Sequence, residues 1–273
     1  MKKVKVAIIG NGDIANSAHG PAYYKNPLSE IKYAVDIIPE RAEAFKEKFG
    51  AEFAVTDYKE AIADPEVDIV SVCVPNYLHA PISIECLNAG KHVLCEKPAA
   101  MNYQEASAMK KAADDNNRIL NIGVVNRFNT AVNKVREFIE AGELGNVYHI
   151  YCSFRAYRSI PGLGGQFTTK STAGGGVLID WGVHYLDLIM YCIGSPRLKT
   201  VSGATYSEMA KDMKSYVYTG MWAGPPDYSG VCDVDDFVTA LVRTEGPTIS
   251  LNGAWAQNIN ETATFIEFLR TRW

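Results

Sequence analysis

The chain opens with short runs of β-branched residues that alternate with segments of helical spacing. Strands are predicted near Val4 to Ile9, Ile31 to Val35, Ile69 to Val74 and His92 to Leu94, with helices starting near Asp13, Pro39 and Tyr77. A helix near Tyr103 to Asn116 and a strand from Ile119 to Val124 continue the series. Such alternation predicts an α/β fold with a doubly wound parallel sheet and crossover helices. Phe128, Val132, Val135, Phe138 and Ile139 then follow at helical spacing, and the pattern changes. Tyr148 to Phe154 reads as a strand, Ser159 to Gly176 is rich in Gly, Ser and Thr, and Val177 to Ile193 reads as a helix. The remainder reads mostly as long alternating strands. Phe237 to Val242 and Ile249 to Trp255 make a hairpin around Glu245-Gly246-Pro247. The expected boundary lies near Val125, giving one unit over 1–124 and a second over 125–273.

Length supports two units, because 273 residues exceed the size at which one hydrophobic core usually stops growing. A content of 47% hydrophobic and 21% charged residues is that of a globular chain and excludes disorder. Thirty-one acids against 27 bases give a net charge of -4, with no basic run beyond Lys2-Lys3, so nucleic acid is not an expected partner. No apolar segment approaches the roughly 20 residues of a membrane helix, and Met1-Lys2-Lys3-Val4 leads directly into a strand pattern; a soluble cytoplasmic protein is expected. Cys73, Cys86, Cys95, Cys152, Cys192 and Cys232 include no Cys-x-x-Cys pair and read as reduced core thiols, with no metal site expected.

The first strand ends in Gly10-Asn11-Gly12-Asp13-Ile14-Ala15, a Gly-x-Gly-x-x-Ala turn that opens a helix. Its first glycine allows the tight turn, its second lets a pyrophosphate reach the backbone, and the alanine lets helix and strand pack closely. Amides at the helix start would face the phosphates. Asp36 ends the second strand, where an acid accepts hydrogen bonds from the adenosine ribose. That position favours NAD over NADP, because a 2'-phosphate would meet a carboxylate. Arg41 is the one nearby cation that would accommodate NADP, or else a solvated helix residue.

The Val177 to Ile193 helix is apolar almost all round, which predicts burial. Asp180, His184, Asp187 and Tyr191 nevertheless fall at spacings of four, three and four and form one polar stripe. Buried acids are costly unless paired, so the stripe should face a cleft or a set of partners.

The blocks Cys95-Glu96-Lys97-Pro98, Val72-Cys73-Val74-Pro75-Asn76-Tyr77-Leu78-His79, Gly90-Lys91-His92-Val93 and Asp180-Trp181-Gly182-Val183-His184 resemble those of the glucose-fructose oxidoreductase, inositol dehydrogenase and rhizopine-catabolism (Gfo/Idh/MocA) family. The resemblance covers nearly the whole chain. It implies a Rossmann domain over 1–124 binding NAD or NADP, followed over 125–273 by an α+β substrate domain whose large, open, mostly antiparallel sheet forms a homodimer or homotetramer interface. It also implies a hydride transfer between nicotinamide and a hydroxyl or ketone of a sugar, inositol or related polyol. Lys97 would then polarise the oxygen, through a Lys97-Pro98 bond that is often cis in similar proteins, while His184 moves the proton and Asp180 supports it. Pro75, Asn76, His79 and Glu96 would line the cofactor. Arg127, Arg155, Tyr157 and Arg158 precede a loop, Pro161-Gly162-Leu163-Gly164-Gly165-Gln166, read as a substrate lid or interface loop. The arginines match either an anionic substrate or ion-pairing roles within the sheet. Relatives usually continue past the strand Thr264 to Leu269, whereas this chain stops at Thr271-Arg272-Trp273, so a truncated or short member is expected. Two other functions fit the same cofactor: a regulator that binds nicotinamide without catalysis, and a lyase or glycosidase that recycles its NAD.

Overall fold

A computed structural model describes residues 2–220, 223–260 and 263–272; the chain end at Trp273 lies outside them. The described residues form two compact units divided between Gly123 and Val124.

In the first unit, β1 (Val4–Ile9), β2 (Ser29–Val35), β3 (Phe53–Val55), β4 (Ile69–Val72), β5 (His92–Cys95) and β6 (Leu120–Ile122) form one sheet in the order β3-β2-β1-β4-β5-β6. Every pairing is parallel. Both faces of β1 are buried, which a parallel sheet covered by crossover helices requires. Val6 and Ile8 pack with Phe45 and Phe49 on one side, and Ala7 and Ile9 pack with Val70, Val93, Leu87 and Met109 on the other. The covering helices begin where the local chemistry allows. After β1 the chain makes a π-helical turn, Ala15–His19, continued by α1 (Gly20–Lys25). Pro39 stands at the first turn of α2 (Pro39–Phe49), which ends at left-handed Gly50. Asp57 caps α3 (Tyr58–Ala63) and Asn102 caps α5 (Tyr103–Asp115) by accepting backbone N–H bonds. Between them, α4 (His79–Asn88) packs against α5 over β4 and β5.

In the second unit, Asn129 caps α6 (Thr130–Glu140). The strands β7 (Val147–Arg155), β8 (Leu198–Tyr206), β9 (Phe237–Thr244), β10 (Thr248–Ala254) and β11 (Ala263–Arg270) form a sheet in the order β11-β7-β10-β9-β8. Only β7 and β10 pair in parallel, so the sheet is mixed and mostly antiparallel. Its inner face places Ile150, Cys152, Phe154, Val238, Ile249 and Leu251 around Ile189 and Trp255. Between β7 and β8 lie α7 (Lys170–Ala173), a second π-helical turn, Leu178–Gly182, and α8 (Val183–Cys192).

Two expectations need correction. Residues 207–236 contain no strand among those described; turns held by side chains replace the expected alternation. Asp236 Oδ2 accepts from the Met209 amide at 2.6 Å, Ser207 Oγ donates to the Val234 carbonyl, and Tyr218 donates to the Gly224 carbonyl. The glycine-rich loop 161–166 is not a lid. Leu163 is fully buried, and a Cβ on Gly164 would lie 1.8 Å from the Asp227 carbonyl, so the loop is docked backbone to backbone on 223–230.

Candidate functional site

The glycine turn sits where the strand order reverses, between β1 and β4, the crevice in which open α/β sheets bind ligands. Gly10 has φ +87°, and a Cβ there would approach the Cys73 carbonyl oxygen to 2.5 Å. At Gly12 an added Cβ would meet no atom within 4 Å. The first glycine is therefore required by the fold, and the second clears the space that a pyrophosphate takes. The Asn16 amide donates to the carbonyls of Asn11 (2.9 Å) and Gly12 (3.1 Å), fixing the turn from inside. The Asn16 backbone N–H bonds to the Gly12 carbonyl, so the helical ladder starts there and the Asp13 and Ile14 amides stand in its first, open turn. Both residues are exposed. These features fit a dinucleotide.

Asp36 is buried and does more than end a strand. Its Oδ2 accepts the Asn11 amide at 2.8 Å and its Oδ1 the Ile38 amide at 2.9 Å. Each oxygen retains a lone pair for a ribose hydroxyl, while the carboxylate stays fixed beside the turn. Arg41 is exposed on the first turns of α2.

At the carboxyl ends of β4 and β5, Pro75, Asn76, Glu96 and Lys97 are half-buried. The Lys97-Pro98 peptide bond is cis. Glu96 Oε2 accepts the Lys97 amide at 3.2 Å, and its Oε1 lies 2.7 Å from His19 Nε2. Burial pushes the Glu96 carboxyl up, but His19, the Lys97 amide and the Lys97 charge outweigh it and hold the group below its ordinary value. His19 carries no sequence signal, since its partner is 77 residues away. His79 departs from its expected place among the cofactor-lining residues. It is 1% exposed, with Nδ1 2.6 Å from the Pro98 carbonyl oxygen and Nε2 2.8 Å from that of Val74. Both ring nitrogens face backbone within the fold, which removes them from a ligand. Cys95, beneath this edge, is a buried thiol pushed up to about 12 by desolvation, hence unreactive.

In the second unit, the helix of the polar stripe starts under constraint. Asp235 Oδ1 accepts the Gly176 amide at 2.8 Å and Oδ2 the Leu178 amide at 3.2 Å, while a Cβ on Gly176 would overlap the Asp235 carbonyl. Asp180 is 6% exposed, and its Oδ2 accepts from Trp255 Nε1 at 3.2 Å. A buried indole N–H needs an acceptor and a buried carboxylate needs a donor, so each satisfies the other. His184 is half-buried one turn later, at the start of α8.

The stripe divides below His184. Asp187 pairs with Arg127, whose Nε donates to Oδ2 at 2.8 Å and whose Nη2 donates to Oδ1. Tyr191 donates to Asn133 Oδ1 at 2.9 Å, its ring lying 5.4 Å from the Arg127 guanidinium and 4.2 Å from that of Arg136. Arg127, expected to bind substrate, thus has its fork committed to Asp187. Its pairing fastens α8 to the short turn, Val125–Phe128, that leads into α6, which spacing alone could not distinguish from substrate binding. Arg158 is similarly occupied, donating to the Tyr157 carbonyl and Asn258 Oδ1 and lying over the Tyr157 ring at 4.1 Å. Arg155, half-buried, donates to Ser153 Oγ, and Tyr157 is exposed beyond the end of β7.

Among the described residues, no group of three or more His, Cys, Asp or Glu could hold a metal ion, and no helix is long and apolar enough to cross a membrane.

Comparison with known proteins agrees with both units. The oxidoreductase family with an NAD-binding Rossmann fold, Gfo/Idh/MocA, matches residues 4–124, and the C-terminal domain of that family matches 132–269. D-glucoside 3-dehydrogenase of Escherichia coli is 34% identical over 261 residues, covering 94% of this chain and 72% of the relative. Levoglucosan dehydrogenase of Pseudarthrobacter phenanthrenivorans is 30% identical, covering 89% of this chain and 65% of the relative. The chain therefore spans about two thirds to three quarters of the length of these relatives. A solved levoglucosan dehydrogenase in complex with NADH and levoglucosan superposes with a TM-score of 0.82 at 26% identity, covering 99% of this chain and 71% of the other. Fold, fingerprint and both matches agree: the chain belongs to the Gfo/Idh/MocA oxidoreductase family, and its first unit is the NAD-binding Rossmann domain of that family.

Proposed function

We propose that this protein is an NAD-dependent dehydrogenase for a ring hydroxyl of a sugar, glycoside or cyclic polyol. The observation that carries the reading is the fixed Asp180, buried on its indole donor and followed one turn later by half-buried His184 on a helix that is otherwise apolar except for Asp187 and Tyr191 further along the same stripe. Gly10, Asn11, Gly12, Asp13, Ile14 and Asp36 would hold NAD, with Pro75, Asn76 and Glu96 along the neighbouring strand ends. Bound nicotinamide supplies the hydride acceptor or donor. The Lys97 ammonium lowers the energy of the negative charge that develops on the oxygen bonded to the reacting carbon, where a preformed positive charge acts in the transition state. His184 takes the hydroxyl proton in oxidation and returns it in reduction, and Asp180 favours the imidazolium that forms. Arg155 and Tyr157 supply donors for the remaining hydroxyls. The named activities of the relatives, on a D-glucoside and on levoglucosan, point to neutral pyranose-like substrates, and the commitment of Arg127 to Asp187 withdraws one of the cations that suggested an anionic one.

A turnover screen with NAD over methyl glucosides, levoglucosan and inositols tests this, read as NADH absorbance. Lys97→Met and His184→Ala should each lose about 100-fold or more in kcat while stabilisation by NAD is retained. Undiminished turnover in either variant overturns its role; NAD binding without turnover of any polyol overturns the dehydrogenase reading in favour of a sensor. We also propose a homodimer or homotetramer through the outer face of the second sheet, where Tyr151 and Phe265 are exposed. A monomeric mass by light scattering would overturn it.

A further inference from the structure

Lys97 leaves the sheet just after β5 ends at Cys95, in a segment of irregular backbone. The direction of its side chain therefore depends on what fastens residues 96–98. On one side Glu96 accepts the Lys97 amide and meets His19. On the other, proline has no N–H, so Pro98 offers only its carbonyl as a backbone anchor. That carbonyl oxygen lies 2.6 Å from His79 Nδ1. His79 is itself anchored, because it begins α4, is 1% exposed, and places Nε2 2.8 Å from the Val74 carbonyl just beyond β4. A carbonyl oxygen only accepts, and burial holds His79 below its ordinary value as a neutral ring with one hydrogen, so one contact is a hydrogen bond and the other is packing; the shorter one, at Nδ1, is assigned the hydrogen. The ring thus spans two adjacent strand ends, one leading to Asn76 and one to Lys97.

We propose that His79 is a positioning residue for the Lys97 ammonium: its Nδ1 donates to the Pro98 carbonyl and holds it, while burial at the start of α4 fixes the ring and Nε2 packs against the end of β4. The inference rests on the assignment of Lys97 to the reacting oxygen. It does not require His79 to touch substrate or cofactor. The two contacts have unequal roles. Loss of the Nδ1 contact releases the segment that bears Lys97, whereas loss of the Nε2 contact alone leaves that segment tied to α4.

Asparagine and glutamine separate the two. Asn at 79 puts an amide nitrogen two bonds from Cβ, in the place of Nδ1, and Gln puts one three bonds away, in the place of Nε2. Lysines of the full chain, reductively methylated with 13C-formaldehyde, give one NMR signal each, and the Lys97 signal is assigned by its loss in Lys97→Met. That signal should stay at its wild-type position in His79→Asn and shift in His79→Gln. With any polyol the wild type oxidises, His79→Gln should lose about 10- to 100-fold in kcat with the KM for NAD unchanged, and His79→Asn should stay within about threefold, as expected for misplacement of a catalytic group by about 1 Å. A merely structural clamp would lower the unfolding temperature of both variants and move neither the Lys97 signal nor kcat; that result, or equal shifts in both, overturns the proposal. If the wild type oxidises no polyol, the dehydrogenase reading fails on its own, and the Lys97 signal still decides the role of His79.

Discussion

The glycine turn of the first unit and the stripe-bearing helix of the second are fastened over very different distances along the chain. In the first, the glycine turn is held by the Asn16 amide four and five residues on, and by Asp36 at 25. In the second, every fastening of the stripe-bearing helix is distant: Asp235 reaches back 59 residues to Gly176, Trp255 75 to Asp180, and Arg127 pairs with Asp187 across 60. A short-range assembly depends on one βαβ unit and tolerates change elsewhere. A long-range one depends on the whole sheet being in register, so damage to its site should appear as damage to the fold.

The largest expected effect lies in the first unit and is confined to one glycine. Gly10→Ala forces a Cβ against the Cys73 carbonyl at a positive φ and should cost about 3 kcal/mol in chemical denaturation. Gly12→Ala should leave stability within about 0.5 kcal/mol while abolishing the rise in unfolding temperature with NAD, because its Cβ meets only open space. Equal destabilisation by the two would break the distinction between a turn glycine and a ligand glycine. Next, Trp255→Phe removes the donor to a buried carboxylate and should cost about 2 kcal/mol, with His184-dependent turnover lost in parallel. Asp235→Ala should cost about 1 kcal/mol by uncapping the helix start; its effect on kcat should exceed its effect on NAD stabilisation if the second unit is wired as described. His19→Gln tests a long-range fastening within the first unit, since His19 and Glu96 are 77 residues apart. The Glu96 carboxyl is held below its ordinary value of 4.5, so its pairing contributes stability above that value and loses it as pH falls through the lower, folded value. The stability gap between wild type and His19→Gln should therefore narrow as pH is lowered below about 4.5 in acid-denaturation curves. Smallest is Arg127→Gln, expected below about 1 kcal/mol because the guanidinium is 44% exposed and screened, with the difference shrinking further in high salt.

The same contrast governs what could be read before folding. The glycine turn, Asp36 at a strand end and the helix over 177–193 are contiguous signals, and periodicity or a motif finds them. The donor to Asp180 is not contiguous with anything. Trp255 directly follows a strand whose alternation marks it only as core, and nothing in the spacing selects Asp180 as the acceptor of its N–H. Arg127 illustrates the reverse error, because a cation that follows the first unit looks equally suited to a substrate and to a carboxylate one helix away. Residues 207–236 alternate well enough to suggest strands, yet among the described ones the Met209 amide and the Val234 and Gly224 carbonyls bond to the side chains of Asp236, Ser207 and Tyr218, bonds that no period encodes. His79 was legible as a residue with a task, and only its burial shows that the task faces inward.

The π-helical turn at Leu178–Gly182 carries a further consequence for how this helix tolerates insertion and deletion. Such a turn houses one residue more than regular helical winding would. Deleting a single residue there would let the backbone relax into an uninterrupted α-helix, a change that local hydrogen bonding favours. Because the residue removed is the one the wide turn had absorbed, the helix after it would keep nearly its present phase, and Asp187 would stay on the side that faces Arg127. A residue inserted into the regular winding of α8 would instead turn every side chain beyond it by about 100°. The wide turn is thus the one place in this helix where chain length can change by a residue without re-aiming the side chains that follow.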